Sequence, residues 1–315
     1  MKKAIEETKK IIDSSLKYGI TGVSKFDGYQ RSYFWTNESI SKYLNVITPD
    51  SDSCALTVLA SGDHAYNLVA LGLKDIDTFD INKLTEFIAF GLKKAMFLKY
   101  NYYEFLSIMS FLSGAYINLE RFNEFINDLL PFMDAKYRLY WKEINDYIYK
   151  NHEIQTSNLN IFRFLTYNIN IARSSFKDCN NYLKDEYSYN AFKSNLSKAN
   201  INFKLADAYN LGNEFNRKYD FILLSNILDY ADSKWGKFWS YDKLQEFEES
   251  LKGLCKPNTI VFLKYIFEYS YTKNDKIIMD SDIRIENLTD ESIITLPNYY
   301  NFGIEDAMIL KRFKE

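Results

Sequence analysis

"ALTVLASGDHAYNLVALGLKDIDTFDIN", residues 55–82, decides the fold. Its first six residues are a mostly apolar run that ends abruptly in Ser61-Gly62-Asp63. That suits a strand buried on both faces and closed by a polar turn. Residues 64–71 read as a short helix, with Gly72 placed just past its end. "DIDTFDIN" reads as a second strand ending at Asp80. Strand, helix and strand within about 30 residues make a βαβ unit, whose crossover is right-handed.

The same alternation returns further along. "INFKLADA" and "YDFILLSN" read as strands, and "NTIVFLKYIF" follows a helix in which Leu244, Phe247, Leu251 and Leu254 step by three and four. Lys256-Pro257-Asn258 is expected to break that helix. "SIITLP" and "DAMILKRF" close the chain as an antiparallel pair. The expected fold is therefore α/β, a mostly parallel Rossmann-like sheet covered on both faces. A helix from about Lys83 carries Phe87, Ile88, Leu92, Ala95 and Met96 on one face. Beyond it, residues 100 to about 195 look helical and aromatic, too long for a simple connection. Three parts follow: an N-terminal helical segment (1–50), the sheet domain (51–99 and 201–315) and a helical insertion lobe (100–200).

Composition narrows the function classes. The formal net charge is -3 over 315 residues, which points to no nucleic-acid partner. Three cysteines and two histidines, in no ligand spacing, favour neither disulfides nor a metal site. No stretch approaches the roughly 18 apolar residues of a membrane span, so a cytoplasmic location is expected. Aromatic residues reach 17%; biased codon usage is the plain reading and an aromatic-lined pocket the sharper one.

Ligands of an open α/β sheet bind beyond the carboxyl ends of its strands. The candidates there are Ser61-Gly62-Asp63, Asp80-Ile81-Asn82, Asp207-Ala208 and Ser225-Asn226, with Asp229 and Tyr230 just after. The first turn lacks the three glycines that bring a backbone against pyrophosphate, since His64 and Asn67 stand in the loop. Asp63 is also expected to repel a phosphate. S-adenosylmethionine brings positive charge instead. Asp63 or the strand-end carbonyls are candidates for its ammonium, Asp80 for the ribose hydroxyls, and Asp207 with the Ala208 N–H for the adenine edge. Plainer roles stand beside these: Asp80 as the N-cap of the helix near Lys83, Asp207 as a turn residue, His64 as a solvated first-turn side chain.

"VLASGDHAYNLVALGLKDIDTFDIN", "YNYYEFL", "YLKDEYSY" and "LLSNILDY" together resemble the S-adenosylmethionine:diacylglycerol 3-amino-3-carboxypropyltransferases of betaine-lipid synthesis, in a broad bacterial branch. The resemblance spans about 35 to 265. It implies the class I S-adenosylmethionine-dependent methyltransferase-like fold. It also implies cofactor contacts at Ser61, Gly62, Asp63, Asn67, Asp80 and Asn82, with Ile81 and Ser225 beside them. Asn226, Asp229 and Tyr230 are implied to face the reacting groups, with Asp229 or Tyr230 as base or orienter. The implied reaction moves the 3-amino-3-carboxypropyl group to an acceptor and releases methylthioadenosine. Ile227 and Tyr230 stand where the lipid enzymes have His and Trp, so the acceptor stays open as a lipid or another hydroxyl compound. A lipid acceptor would bring transient contact with a membrane surface. A methyltransferase and a non-catalytic cofactor-binding module are the alternatives, and the oligomeric state is open.

Overall fold

The computed structural model describes residues 6–13, 34–36, 38–112, 119–150, 176–228, 241–266, 288–297 and 305–313. A first helix, α1 (6–13), buries Ile11 and Ile12. Within the N-terminal segment read as helical, the described residues after 34 hold only a short helix. Thr36 Oγ1 accepts from Glu38 N at 3.0 Å in a local turn, and α2 is only Ile40–Tyr43.

The βαβ unit is as read. Strand β1 (Cys54–Val58) is buried throughout, α3 is Asp63–Ala70, and β2 is Asp75–Asp80. Gly72 has φ 100° and its N–H reaches Val69 O at 2.9 Å, which ends α3. Helix α4 (residues 83–99) is α-helical at Lys83–Glu86 and Lys94–Lys99 but π-helical across Phe87–Lys93. Helices α5 (Tyr102–Leu112), α6 (Leu119–Leu129) and α7 (Ala135–Lys150) follow. Helix α8 (Glu186–Leu196) then leads into β3 (Asn200–Leu205). Strand β4 (Tyr219–Leu223), helix α9 (Tyr241–Leu254), β5 (Cys255–Ile266), β6 (Leu288–Pro297) and β7 (Glu305–Phe313) complete the chain. β5 starts directly after α9. Lys256-Pro257-Asn258 lies inside that strand, with Asn258 left-handed (φ 68°) at a register shift against β4.

The seven strands lie in the order β3-β2-β1-β4-β5-β7-β6. The first five run parallel, and β7 is antiparallel to both β5 and β6. This is the class I S-adenosylmethionine-dependent methyltransferase-like sheet. Its strand order reverses between β1 and β4, which opens the crevice there. Two apolar layers cover it. Ala55 packs into one, and Leu56 and Val58 join Phe247, Leu251 and Leu254 of α9 in the other.

Among the described residues many of the aromatic side chains go into packing. Tyr66 on α3, Phe97 on α4, and Tyr182 and Phe192 near α8 are fully or almost fully buried and meet at ring centroids 4.7–6.4 Å apart. Such contacts add to simple burial. Helix α8, within the stretch assigned to the lobe, packs through Phe192 against Tyr66 of α3 and Phe97 of α4.

A π-helical stretch displaces backbone carbonyls from regular partners and is common near functional sites. Here Tyr66 Oη donates to Ala89 O at 2.6 Å, and Trp141 Nε1 donates to Phe87 O at 2.8 Å. The stretch is thus pinned between α3 and α7. Gly62 lies against it with φ 84°, and a Cβ there would stand 2.8 Å from Ala89 Cβ. Gly62→Ala is expected to cost roughly 2–4 kcal/mol by urea denaturation, from left-handed strain plus overpacking. A loss under about 1 kcal/mol would contradict that contact.

Candidate functional site

Two residues without glycine's freedom are left-handed at the crevice. Ala60 (φ 43°) follows β1 and Ser225 (φ 57°) follows β4. Such conformations persist only where neighbours hold them, and they cluster at functional sites. Ala60 N donates to Asp80 Oδ2 at 3.0 Å. Ser225 O accepts from Tyr265 N at 2.8 Å, and Ser225 Oγ donates to Glu38 Oε1.

Asp80 ends β2 and is half-buried. Besides Ala60 N, it accepts from Asn82 N at 2.8 Å on Oδ1. Burial pushes its carboxyl up to about 6, against the lowering effect of these N–H groups. The Thr85 hydroxyl and the Ile81 N–H add to that lowering, so a ligand's hydroxyls would share the carboxylate with these partners. The helix cap is Asn82 and not Asp80: Asn82 Oδ1 accepts from Leu84 N at 2.9 Å. Ile81 beside Asp80 is 51% exposed, and Leu205, the cross-strand partner of Asp80 by register, is 48% exposed. Two bared aliphatic side chains flank the carboxylate.

Asp63 has a different partner from the one expected. It is fully buried, 2.5 Å from Lys93 Nζ, and Lys93 is equally buried. Tyr182 Oη donates to the same Oδ1 at 2.6 Å. Thr36 N and Ser61 Oγ donate to Oδ2 at 2.6 and 2.9 Å. Lys93 also donates to Ser61 O at 3.0 Å and lies 3.8 Å from the Trp35 ring centroid. Desolvation lowers the Lys93 ammonium to about 8, opposed by Asp63, so it keeps its charge at neutral pH. The cation at Asp63 is the chain's own, and the turn carries no net charge to repel a phosphate. Enclosure does that work instead: Asp63, His64 and Asn67 on the first turns of α3 are at most 1% exposed. A pyrophosphate has no access to that helix end.

The remaining expected residues divide clearly. Asn67 is internal: its Nδ2 donates to Asp63 O and Asn180 Oδ1 at 2.8 and 2.7 Å, and its Oδ1 accepts from Asn181 N at 2.7 Å. These bonds fasten α3 to the segment before α8. Ser61 and Gly62 form the turn, Asp207 and Ala208 follow β3 half-buried and buried, and Asn226 is half-buried after Ser225. Asp229 and Tyr230 lie outside the described residues. His64 is buried at 1% exposure instead of solvated, with Nε2 at 3.1 Å from Glu38 Oε2.

Glu38, Lys93, Trp35 and Tyr265 were not legible as site residues. Lys93 left a faint signal, a lysine following the unbroken run "FIAFGL", which the π-helical turn carries inward. Among the described residues, no group of three or more His, Cys, Asp or Glu is placed to hold a metal ion.

No family model and no curated protein matches the chain. Several solved structures resemble it distantly. N-methyltransferase NodS from Bradyrhizobium japonicum WM9, in complex with S-adenosyl-L-homocysteine, is 8% identical with a TM-score of 0.40, over 98% of this chain and 99% of that one. A SAM-dependent methyltransferase from Methanosarcina mazei is 10% identical, TM-score 0.37, over 87% and 97%. An rRNA methylase from Streptococcus thermophilus is 7% identical, TM-score 0.35, over 84% and 89%. Likeness this distant carries neither ligand nor activity across.

Removing one partner of a buried ion pair strands the other charge. Lys93→Met is therefore expected to cost about 3–5 kcal/mol in denaturant unfolding. Asp63→Asn added to it should recover part of that loss. A single-variant cost below about 1 kcal/mol would show that the pair does not hold the turn.

Proposed function

We propose that the chain is an S-adenosylmethionine-dependent transferase that moves the 3-amino-3-carboxypropyl group to a hydroxyl-bearing acceptor, lipid or other. The observation that carries the donor is Asp80, a half-buried carboxylate at the end of β2 with exposed Ile81 next to it in the chain and exposed Leu205 opposite it on β3. A carboxylate there suits a ribose diol, and the aliphatic pair suits the faces of an adenine. Asp207 and the Ala208 N–H are assigned to the adenine edge. Ser61 and Gly62 turn the backbone toward the methionine end. With Asp63 committed to Lys93, the strand-end carbonyls are the remaining candidates for the ligand's ammonium. The enclosed start of α3 disfavours a dinucleotide.

Bound there, S-adenosylmethionine supplies a sulfonium whose neighbouring carbons are open to displacement. The chain's part is to position the acceptor and take its proton. Ser225 and Asn226 line the β4 side of the crevice, and Asp229 and Tyr230 follow them in sequence. The choice of aminocarboxypropyl transfer rests on the resemblance of the "SGD…FDIN" and "SNILDY" segments. Methyl transfer is the second reading, since the same sheet order serves it equally. A lipid acceptor fits a chain that works at a membrane surface; no described helix is long and apolar enough to cross one.

The deciding experiment incubates the protein with S-adenosylmethionine and, separately, the lipid and aqueous fractions of a cell extract. Methylthioadenosine is the expected product. S-adenosylhomocysteine would establish methyl transfer, and binding without either product would leave a non-catalytic module.

Asp80→Ala should weaken S-adenosylmethionine roughly ten- to a hundred-fold in calorimetry, the cost of charged hydrogen bonds to the ribose. Unchanged affinity would remove the ribose assignment. The ribose hydroxyls donate to the ionised carboxyl, so binding draws its proton affinity below the free value of about 6. Affinity is therefore full above pH 6 and falls by up to about tenfold per unit below it. An affinity flat from pH 7.5 to about 5 would contradict this.

A further inference from the structure

In the transferase reading Ser225 lines the crevice, yet it is closed off. Ser225 is buried, whereas Ala60 after β1, Asp80 at the end of β2 and its own neighbour Asn226 are half-buried. The chain's own N-terminal segment lies on it. Glu38 Oε1 accepts from Ser225 Oγ, and Glu38 Oε2 accepts from Tyr43 Oη at 3.2 Å and stands 3.1 Å from His64 Nε2. Ser39 N donates to Tyr265 Oη at 3.1 Å on β5, and Tyr265 Oη donates in turn to Asp306 Oδ2 at 2.7 Å on β7. Two adjacent residues therefore tie the start of α3 to the end of β4 and to β5.

The segment is built in two parts. Phe34 and Trp35 before it, and Ile40 and Tyr43 after it, are apolar anchors at most 2% exposed. Between them "TNES", residues 36–39, is polar throughout. Thr36 N stays on Asp63 and Trp35 on Lys93, so the buried ion pair is covered from the anchored side. Glu38 and Ser39 reach β4 and β5 through hydrogen bonds to the side chains of Ser225 and Tyr265. Such bonds contribute little net, because water or a ligand can replace each of them. The closed arrangement also carries costs. Ser225 is left-handed, and the buried His64 Nδ1 beside Glu38 has no hydrogen-bond partner among the described residues. Resting on the transferase reading above, we propose that Glu38 and Ser39 are a latch that shuts the β4 side of the crevice against the methionine end of S-adenosylmethionine. The donor is seated only after Glu38 releases Ser225. The anchors stay and the polar span lifts. The adenosine end, at Asp80, lies outside the latch. The donor's apparent affinity is then scaled by the fraction of chains that are open.

Calorimetry with S-adenosylmethionine and, separately, with methylthioadenosine, which has no aminocarboxypropyl end, tests the latch. Glu38→Ala should tighten S-adenosylmethionine roughly ten-fold and leave methylthioadenosine within about two-fold of wild type. Tyr265→Phe deletes one hydroxyl, should act in the same direction, and carries the test if Glu38→Ala does not fold. In the wild-type chain, amide hydrogen exchange over residues 34–43 should quicken when S-adenosylmethionine saturates the site and stay unchanged with methylthioadenosine. Slower or unchanged exchange with S-adenosylmethionine overturns the proposal. So does a folded Glu38→Ala chain that fails to tighten the donor or tightens both ligands alike. A wild-type chain that binds neither ligand is a distinct failure, that of the transferase reading on which the latch rests.

Discussion

A buried ion pair between Asp63 and Lys93 sets the geometry on which the site depends. Burying two charges is costly and is offset only when their hydrogen bonds are well satisfied. Here Asp63 receives Lys93, Tyr182, Thr36 N and Ser61, and Lys93 adds Ser61 O and the face of Trp35. Those partners come from the N-terminal segment, the β1 turn, α4 and the segment before α8. One pair therefore fixes where four separate parts of the chain meet. In a loop with three glycines, backbone freedom allows close approach to a phosphate. In this loop one glycine meets Ala89, and side chains fix the rest.

The consequences run outward from that pair. Lys93 reaches the turn because α4 is π-helical just before it, and that stretch is held by Tyr66 and Trp141 through its carbonyls. The aromatic cluster of Tyr66, Phe97, Tyr182 and Phe192 fills the space between α3, α4 and α8. Closely packed interiors are barely compressible and hold positions well. On the other side Asp80 is half-buried, and Ile81 and Leu205 are exposed. The enclosed half of the crevice and its open half are thus built from different residue types.

Much of the fold was legible because periodicity carries it. The apolar run before Ser61, the acid ending "DIDTFD" and the closing antiparallel pair all appear where expected. Long-range polar pairing was not legible. Asp63 and Lys93 are 30 residues apart, and Glu38 and Ser225 are 187 apart. Neither spacing has a sequence signature. Asp63 was recognised as important on the wrong ground, as a ligand's partner, because its true counter-charge lay in a helix that reads as ordinary. His64 and Asn67 were placed in the loop, but Glu38 meets the first and Asn180 and Asn181 the second, partners far away in sequence. Asp80 was placed well because the end of a parallel strand is a position that topology alone determines.

A crystal structure with S-adenosylmethionine bound tests the central claim most directly. The account predicts both ribose hydroxyls on Asp80, the adenine between Ile81 and Leu205, and the Asp63–Lys93 pair intact beneath the turn. A ligand ammonium on Asp63 with Lys93 displaced would contradict it, as would a ligand seated away from the carboxyl ends of β1 and β2.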